Sequence, residues 1–107
     1  MQASIVFLGN KNKNVLFVNK LFLDFFLDNS DDTMEHIYEE LKQINNVKLM
    51  DINEDIFWID YIFLHPNEVF KISVNKSETN IELLVKTKQV MSENDADNMI
   101  VITITKL

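Results

Sequence analysis

In the second half of this chain the apolar residues fall on alternate positions, and the spacers between the apolar runs are short. Five runs follow Asn46: Val47–Ile52, Ile56–Leu64, Val69–Asn75, Ile81–Val90 and Met99–Leu107. Alternation of period two marks a strand with one buried face. Phe70, Ile72 and Val74 are expected inward, opposite outward Lys71, Ser73 and Asn75; Ile81, Leu83 and Val85 inward, opposite Glu82 and Lys86. The spacers Asn53-Glu54-Asp55, His65-Pro66-Asn67, Lys76–Asn80 and Ser92–Asn98 are hairpin length. A parallel pair needs a crossover of a dozen or more residues, so these strands must run antiparallel. Ile56–Leu64 is apolar on both faces apart from Asp60, which predicts a strand in the middle of the sheet, covered on both sides.

The first half adds two strands and a helix. Ala3–Leu8 and Val15–Val18 flank Gly9-Asn10-Lys11-Asn12-Lys13-Asn14, a spacer whose glycine and asparagines tolerate the positive φ of a hairpin loop. Leu21–Leu27 fits both periods, and we read it as an extension of the second strand. From Asp32 to Ile44 the residues Met34, Ile37, Tyr38, Leu41 and Ile44 form one helical stripe. Ser30, Asp31 and Asp32 can cap its first amides, Asp32 with Glu35 has capping-box spacing, and Asn45-Asn46 is suited to end it. The expected order is β-β-α-β-β-β-β-β: a single α+β domain over residues 1–107, with a curled antiparallel sheet and one amphipathic helix packed on it.

Composition bears mainly on function. The chain has 107 residues, a formal charge of −7 and no cysteine, so neither disulfides nor thiolate zinc can hold it together. Its N-terminal MQASIVFLGN has no basic region ahead of the apolar stretch, and no apolar run approaches the roughly 18 residues of a membrane span. A cytoplasmic protein without a membrane partner is the expectation. All ten basic residues are lysines.

The charge is unevenly spread. Between Asn19 and Asp60 there are eleven acids and three lysines, a net of −8, while the flanks nearly cancel at +2 and −1. Such a window attracts a basic partner and repels nucleic acid and anionic membranes.

Candidate chemical sites are weak. Asp51-Ile52-Asn53-Glu54-Asp55 begins like a calcium loop, but Ile56 stands at the turn glycine and Ile62 at the bidentate glutamate. His36 and His65 have no metal-ligand spacing, although either could form an acid–base pair beside Glu39 or Asp60. With Gly9 the only glycine, no phosphate-binding loop or nucleophile elbow can be built. Lys86, Lys88 and Lys106 read as guards of a sheet edge. No catalytic residue, cofactor or metal is expected.

What remains is a docking surface made of Asp31, Asp32, Glu35 and Glu39 on the helix and Asp51, Glu54 and Asp55 in the following turn, with Tyr38, Trp58 or Tyr61 as an aromatic anchor. The function these features suggest is that of a small acidic inhibitor binding a basic protein. It would be an immunity protein for a toxin nuclease or a phage antagonist of a nucleic-acid-dependent defence enzyme. Two alternatives stand beside it: a small enzyme or ligand-binding module with a pocket between helix and sheet, and a structural adaptor. A homodimer built on Met99–Leu107 as an exposed edge is also compatible with the sequence.

Overall fold

Alternation does build antiparallel strands in the computed structural model, which describes residues 2–9, 13–27, 36–91 and 98–107. The elements are β1 Ala3–Leu8, β2 Val15–Val18, α1 Lys20–Phe26, α2 Ile37–Ile44, β3 Val47–Met50, α3 Trp58–Leu64, β4 Val69–Lys76, β5 Thr79–Val90 and β6 Met99–Lys106. The six strands form one open antiparallel sheet in the order β2-β1-β6-β5-β4-β3, and the helices pack on one of its faces in a single α+β domain.

Local chemistry sets the hairpins. Leu8 N–H donates to the carbonyl of Asn14 at 2.8 Å, closing the β1–β2 loop. Between β4 and β5, Ser77 and Glu78 both take positive φ, 48° and 67°, the conformation of a two-residue turn that matches the twist of the flanking strands. Asn45 ends α2 in the left-handed region, at φ 46°, and its N–H donates to Leu41. The expected inward sets of β4 and β5 do face the core, with Ile81 only half-buried at its margin.

Two runs expected as strands are helices. Most of Leu21–Leu27 belongs to α1, with Leu27 as its C-cap, because β2 stops at Val18 and Asn19 starts the helix. The Asn19 Oδ1 accepts from Phe22 N–H at 3.0 Å and from Ser4 N–H at 3.0 Å, while its Nδ2 donates to the Gln2 carbonyl at 2.7 Å. One side chain therefore caps the helix and ties it to β1, a capping interaction typically worth about 1 kcal/mol. Phe22 and Phe26, four residues apart, then share the buried side.

Within Ile56–Leu64, the segment Trp58–Leu64 forms α3. Its buried residues Trp58, Ile59, Tyr61 and Ile62 follow a helical spacing, i, i+1, i+3, i+4. Aromatic and β-branched residues each lose only some tenths of a kcal/mol in helix propensity, whereas burying one such side chain gains about 1.5–3 kcal/mol. Cover for the sheet decides the conformation. The described part of the amphipathic helix buries Ile37 and Leu41, but Ile44 at its end is 46% exposed instead of joining the stripe. Met34 and the capping set Ser30, Asp31, Asp32 and Glu35 lie outside the described residues.

β6 is not an edge. It pairs with β1 from Ala3↔Ile104 to Leu8↔Met99 and with β5 from Leu83↔Lys106 to Val90↔Met99, so it lies in the middle of the sheet and is not the exposed edge expected for Met99–Leu107. Lys86 and Lys88 on β5 and Lys106 on β6 consequently guard no edge; β2 and β3 are the edges. The core joins Ile5, Phe7, Ile72, Leu83, Val85, Ile102 and Ile104 from the sheet with Phe22, Phe26, Ile37, Leu41, Trp58, Ile59 and Ile62 from the helices.

Candidate functional site

Residues 51–57, between β3 and α3, present the acids of the expected surface. Asp51 turns the chain out of β3 at φ 60°, a conformation that aspartate adopts more readily than most residues. Ile52, Ile56 and Phe57 then pack against the core, while Asn53, Glu54 and Asp55 stay exposed. The apolar residues anchor the loop, and the carboxylates are held out from it. Glu54 and Asp55 line a recess of about 540 Å³ bounded by Lys42 and Asn45 at the end of α2 and by Val47, Lys48 and Leu49 of β3.

The expected docking residues do not all come together. Glu54 and Asp55 share that recess, whereas Asp51 opens onto another of about 380 Å³ with Tyr61, Glu68 and Lys71. Glu39 is exposed on α2 and lines neither recess; its described partner is His36, whose Nδ1 lies 3.6 Å away. Asp31, Asp32 and Glu35 lie outside the described residues. Two of the three proposed anchors are unavailable, because Trp58 and Tyr61 are core residues at 1% and 7% exposure. Tyr38 is half-buried, and its hydroxyl is already engaged.

That engagement forms a polar cluster which the sequence did not reveal. The Tyr38 hydroxyl donates to Asp60 Oδ1 at 2.6 Å, and Lys13 Nζ donates to the same oxygen at 2.9 Å and to the Tyr38 oxygen at 3.3 Å. Lys42 Nζ stands 4.0 Å from Asp60 Oδ2, and Lys13 Nζ also lies 4.8 Å from the centre of the Tyr38 ring. The cluster ties the β1–β2 loop, α2 and α3 together. A helical spacing across Ile56–Leu64 would have put Asp60 on the rim of a buried helix, but nothing local to Lys13 points to its partners.

Partial burial opposes the Asp60 charge, yet the hydrogen bonds from Tyr38 and Lys13 and the charges of Lys13 and Lys42 outweigh it, holding the carboxyl below its ordinary value. Burial likewise opposes the Lys13 charge, and its bonds to Asp60 and Tyr38 outweigh that and push the ammonium up. The signs are opposite. Stability from Asp60 is present above the unfolded carboxylate value near 4 and is lost as pH falls through the lower folded value. Stability from Lys13 is present below its unfolded value and is lost as pH rises through the raised one. Asp60→Asn is expected to lower stability by about 1–2 kcal/mol at pH 7 and to flatten the acid side of the stability profile. Urea midpoints measured from about pH 2 to 7 check this; a variant with the wild-type midpoint and slope would show the cluster to be energetically idle.

Elsewhere, the Tyr61 hydroxyl donates to Glu68 Oε2 at 2.8 Å. That bond, then burial, then the Glu68 and Glu54 charges push its pKa up to about 12. The His65 ring lies 4.6 Å from that of Tyr61 at a tilt of 32°, with its Nδ1 3.7 Å from Glu68 Oε1. Asp60 has no histidine partner among the described residues, and no group of three His, Cys, Asp or Glu there could hold a metal ion. No described helix is long and apolar enough to cross a membrane. Compared with protein-family models and with curated proteins, the chain matches none, so its functional reading rests on its own residues.

Proposed function

We propose that this protein is a cytoplasmic inhibitor that docks its acidic side on a basic protein, either a toxin nuclease or a nucleic-acid-dependent defence enzyme. The observation that carries the reading is the anchored loop: Ile52, Ile56 and Phe57 fix a backbone from which Glu54 and Asp55 project, and neither acid forms an ion pair among the described residues. Carboxylates held on an ordered backbone lose less freedom on binding than mobile ones and occupy the positions that phosphates would take in a cationic cleft. Inhibition of this kind needs no catalytic residue, cofactor, metal or direct contact with nucleic acid.

The test is a titration against a co-purified basic partner. Hydrolysis or binding of nucleic acid by that partner should fall linearly and stop near one equivalent of inhibitor. The recess of about 540 Å³ between α2 and β3 supports the ligand-binding alternative, and the same experiment separates the two. A partner left fully active by a tenfold excess of this protein would end the inhibitor reading.

A further inference from the structure

The face of the sheet turned away from the helices carries charge of the opposite sign. Lys88 and Lys86 on β5, Lys71 on β4 and Lys48 on β3 are all exposed there, and none forms an ion pair among the described residues. Their placement follows from register. Lys86 is opposite Val69, Lys71 is opposite Leu84 and Met50, and Lys48 is opposite Ser73, so each lysine lies one row further along than the last. With about 3.4 Å per residue along a strand and about 4.8 Å between strands, the steps are about 7, 8 and 8 Å in a diagonal track. Among the described residues Glu82 is the one acid at an outward position of the strands themselves, while Asp51 and Glu68, just beyond the ends of β3 and β4, share a recess with Lys71.

We propose that this lysine track is a second docking surface, and that its occupant is an acidic polypeptide segment in extended conformation. An extended chain with Asp or Glu at every second position presents a carboxylate about every 6.8 Å on one side, which matches the steps of the track. Leu84 and Val69, between the lysines, give the peptide apolar ground, and Val69 is 61% exposed. Single-stranded nucleic acid fits less well, because it needs aromatic rings for its bases to stack on. Phe17, an exposed aromatic at 51%, sits on β2, three strands from Lys88 and about 14 Å away. The track uses none of the carboxylates of residues 51–57, although Lys48 borders the recess of Glu54 and Asp55 and Lys71 borders that of Asp51.

Fluorescence anisotropy with a labelled alternating Glu-Ser dodecapeptide tests this, with a labelled twelve-nucleotide oligothymidine as the second arm. At about 0.02 M salt the peptide should bind saturably, and at about 0.15 M more weakly. Lys71→Gln with Lys86→Gln should weaken peptide binding roughly fivefold. The control pair Lys20→Gln with Lys106→Gln makes the same charge change, from −7 to −9, and should leave binding within about twofold of wild type. All four side chains are exposed, so folding should be unaffected. Tighter binding of oligothymidine than of peptide, equal weakening by the two pairs, or no saturable peptide binding would each overturn the proposal.

Discussion

Reversing Glu39, Glu54 and Asp55 to lysine should slow association with the basic partner by tenfold or more while leaving the fold intact. The three changes move the formal charge by +6, from −7 to −1, and all three side chains are exposed. Asp51 is left in place because its φ of 60° disfavours a longer side chain. Steering by complementary charge raises association rates by roughly 10- to 1000-fold, and screening removes much of that gain once the Debye length falls to about 8 Å at 0.15 M salt. The wild-type rate should therefore drop steeply with salt and the variant rate only slightly. As a control, Glu82→Lys on the opposite face makes the same +2 change as Glu54→Lys and should matter far less. Stopped-flow association that ignores both the reversals and the salt would leave these acids as solvated surface.

Trp58→Ala should cost about 3–5 kcal/mol, a large part of the 5–15 kcal/mol that stabilises a domain of this kind. Trp58 is 1% exposed and stacks on Phe26 at 5.0 Å and 25° and on Phe22 at 6.4 Å and 28°, so its loss opens a cavity between α3 and α1. Its Nε1 is buried without a hydrogen-bond partner among the described residues. Trp58→Phe removes that N–H while keeping a ring, and should cost less than half as much. Urea denaturation followed by far-UV circular dichroism measures both variants. A second readout is available in the wild type, because Trp58 is the only tryptophan and its emission should be blue-shifted until the protein unfolds. Solvated emission in the folded protein, or an alanine variant within 1 kcal/mol of wild type, would rule out the packing of α3 described above.

Trp58 also illustrates how far a sequence of this kind can be read. β4 and β5 were legible because each buries one face only, and a shift of one residue would move every apolar side chain into water. The end of α2 was legible for a local reason as well: Asn45 adopts the left-handed conformation at little cost. The runs Leu21–Leu27 and Ile56–Leu64 offered no such constraint. They are apolar at both periods, and whether they extend or coil depends on what they must cover, which is a property of the assembled sheet.

The acidic surface divides in the same way. Composition and order along the chain determined that the acids concentrate up to Asp60 and that Glu54 and Asp55 fall in a connection between two regular elements. Only the tertiary structure decided that Asp60 is withdrawn into a cluster with Tyr38 and Lys13, since those contacts span 22 and 47 residues of chain. Tertiary structure also decided that β6 enters between β1 and β5, and that the lysines of β3, β4 and β5 line up on the face away from the helices. The physical reason is common to all three. Periodicity and turn chemistry act over a few residues, whereas strand order, register between strands and the pairing of charges are settled by burial across the whole domain.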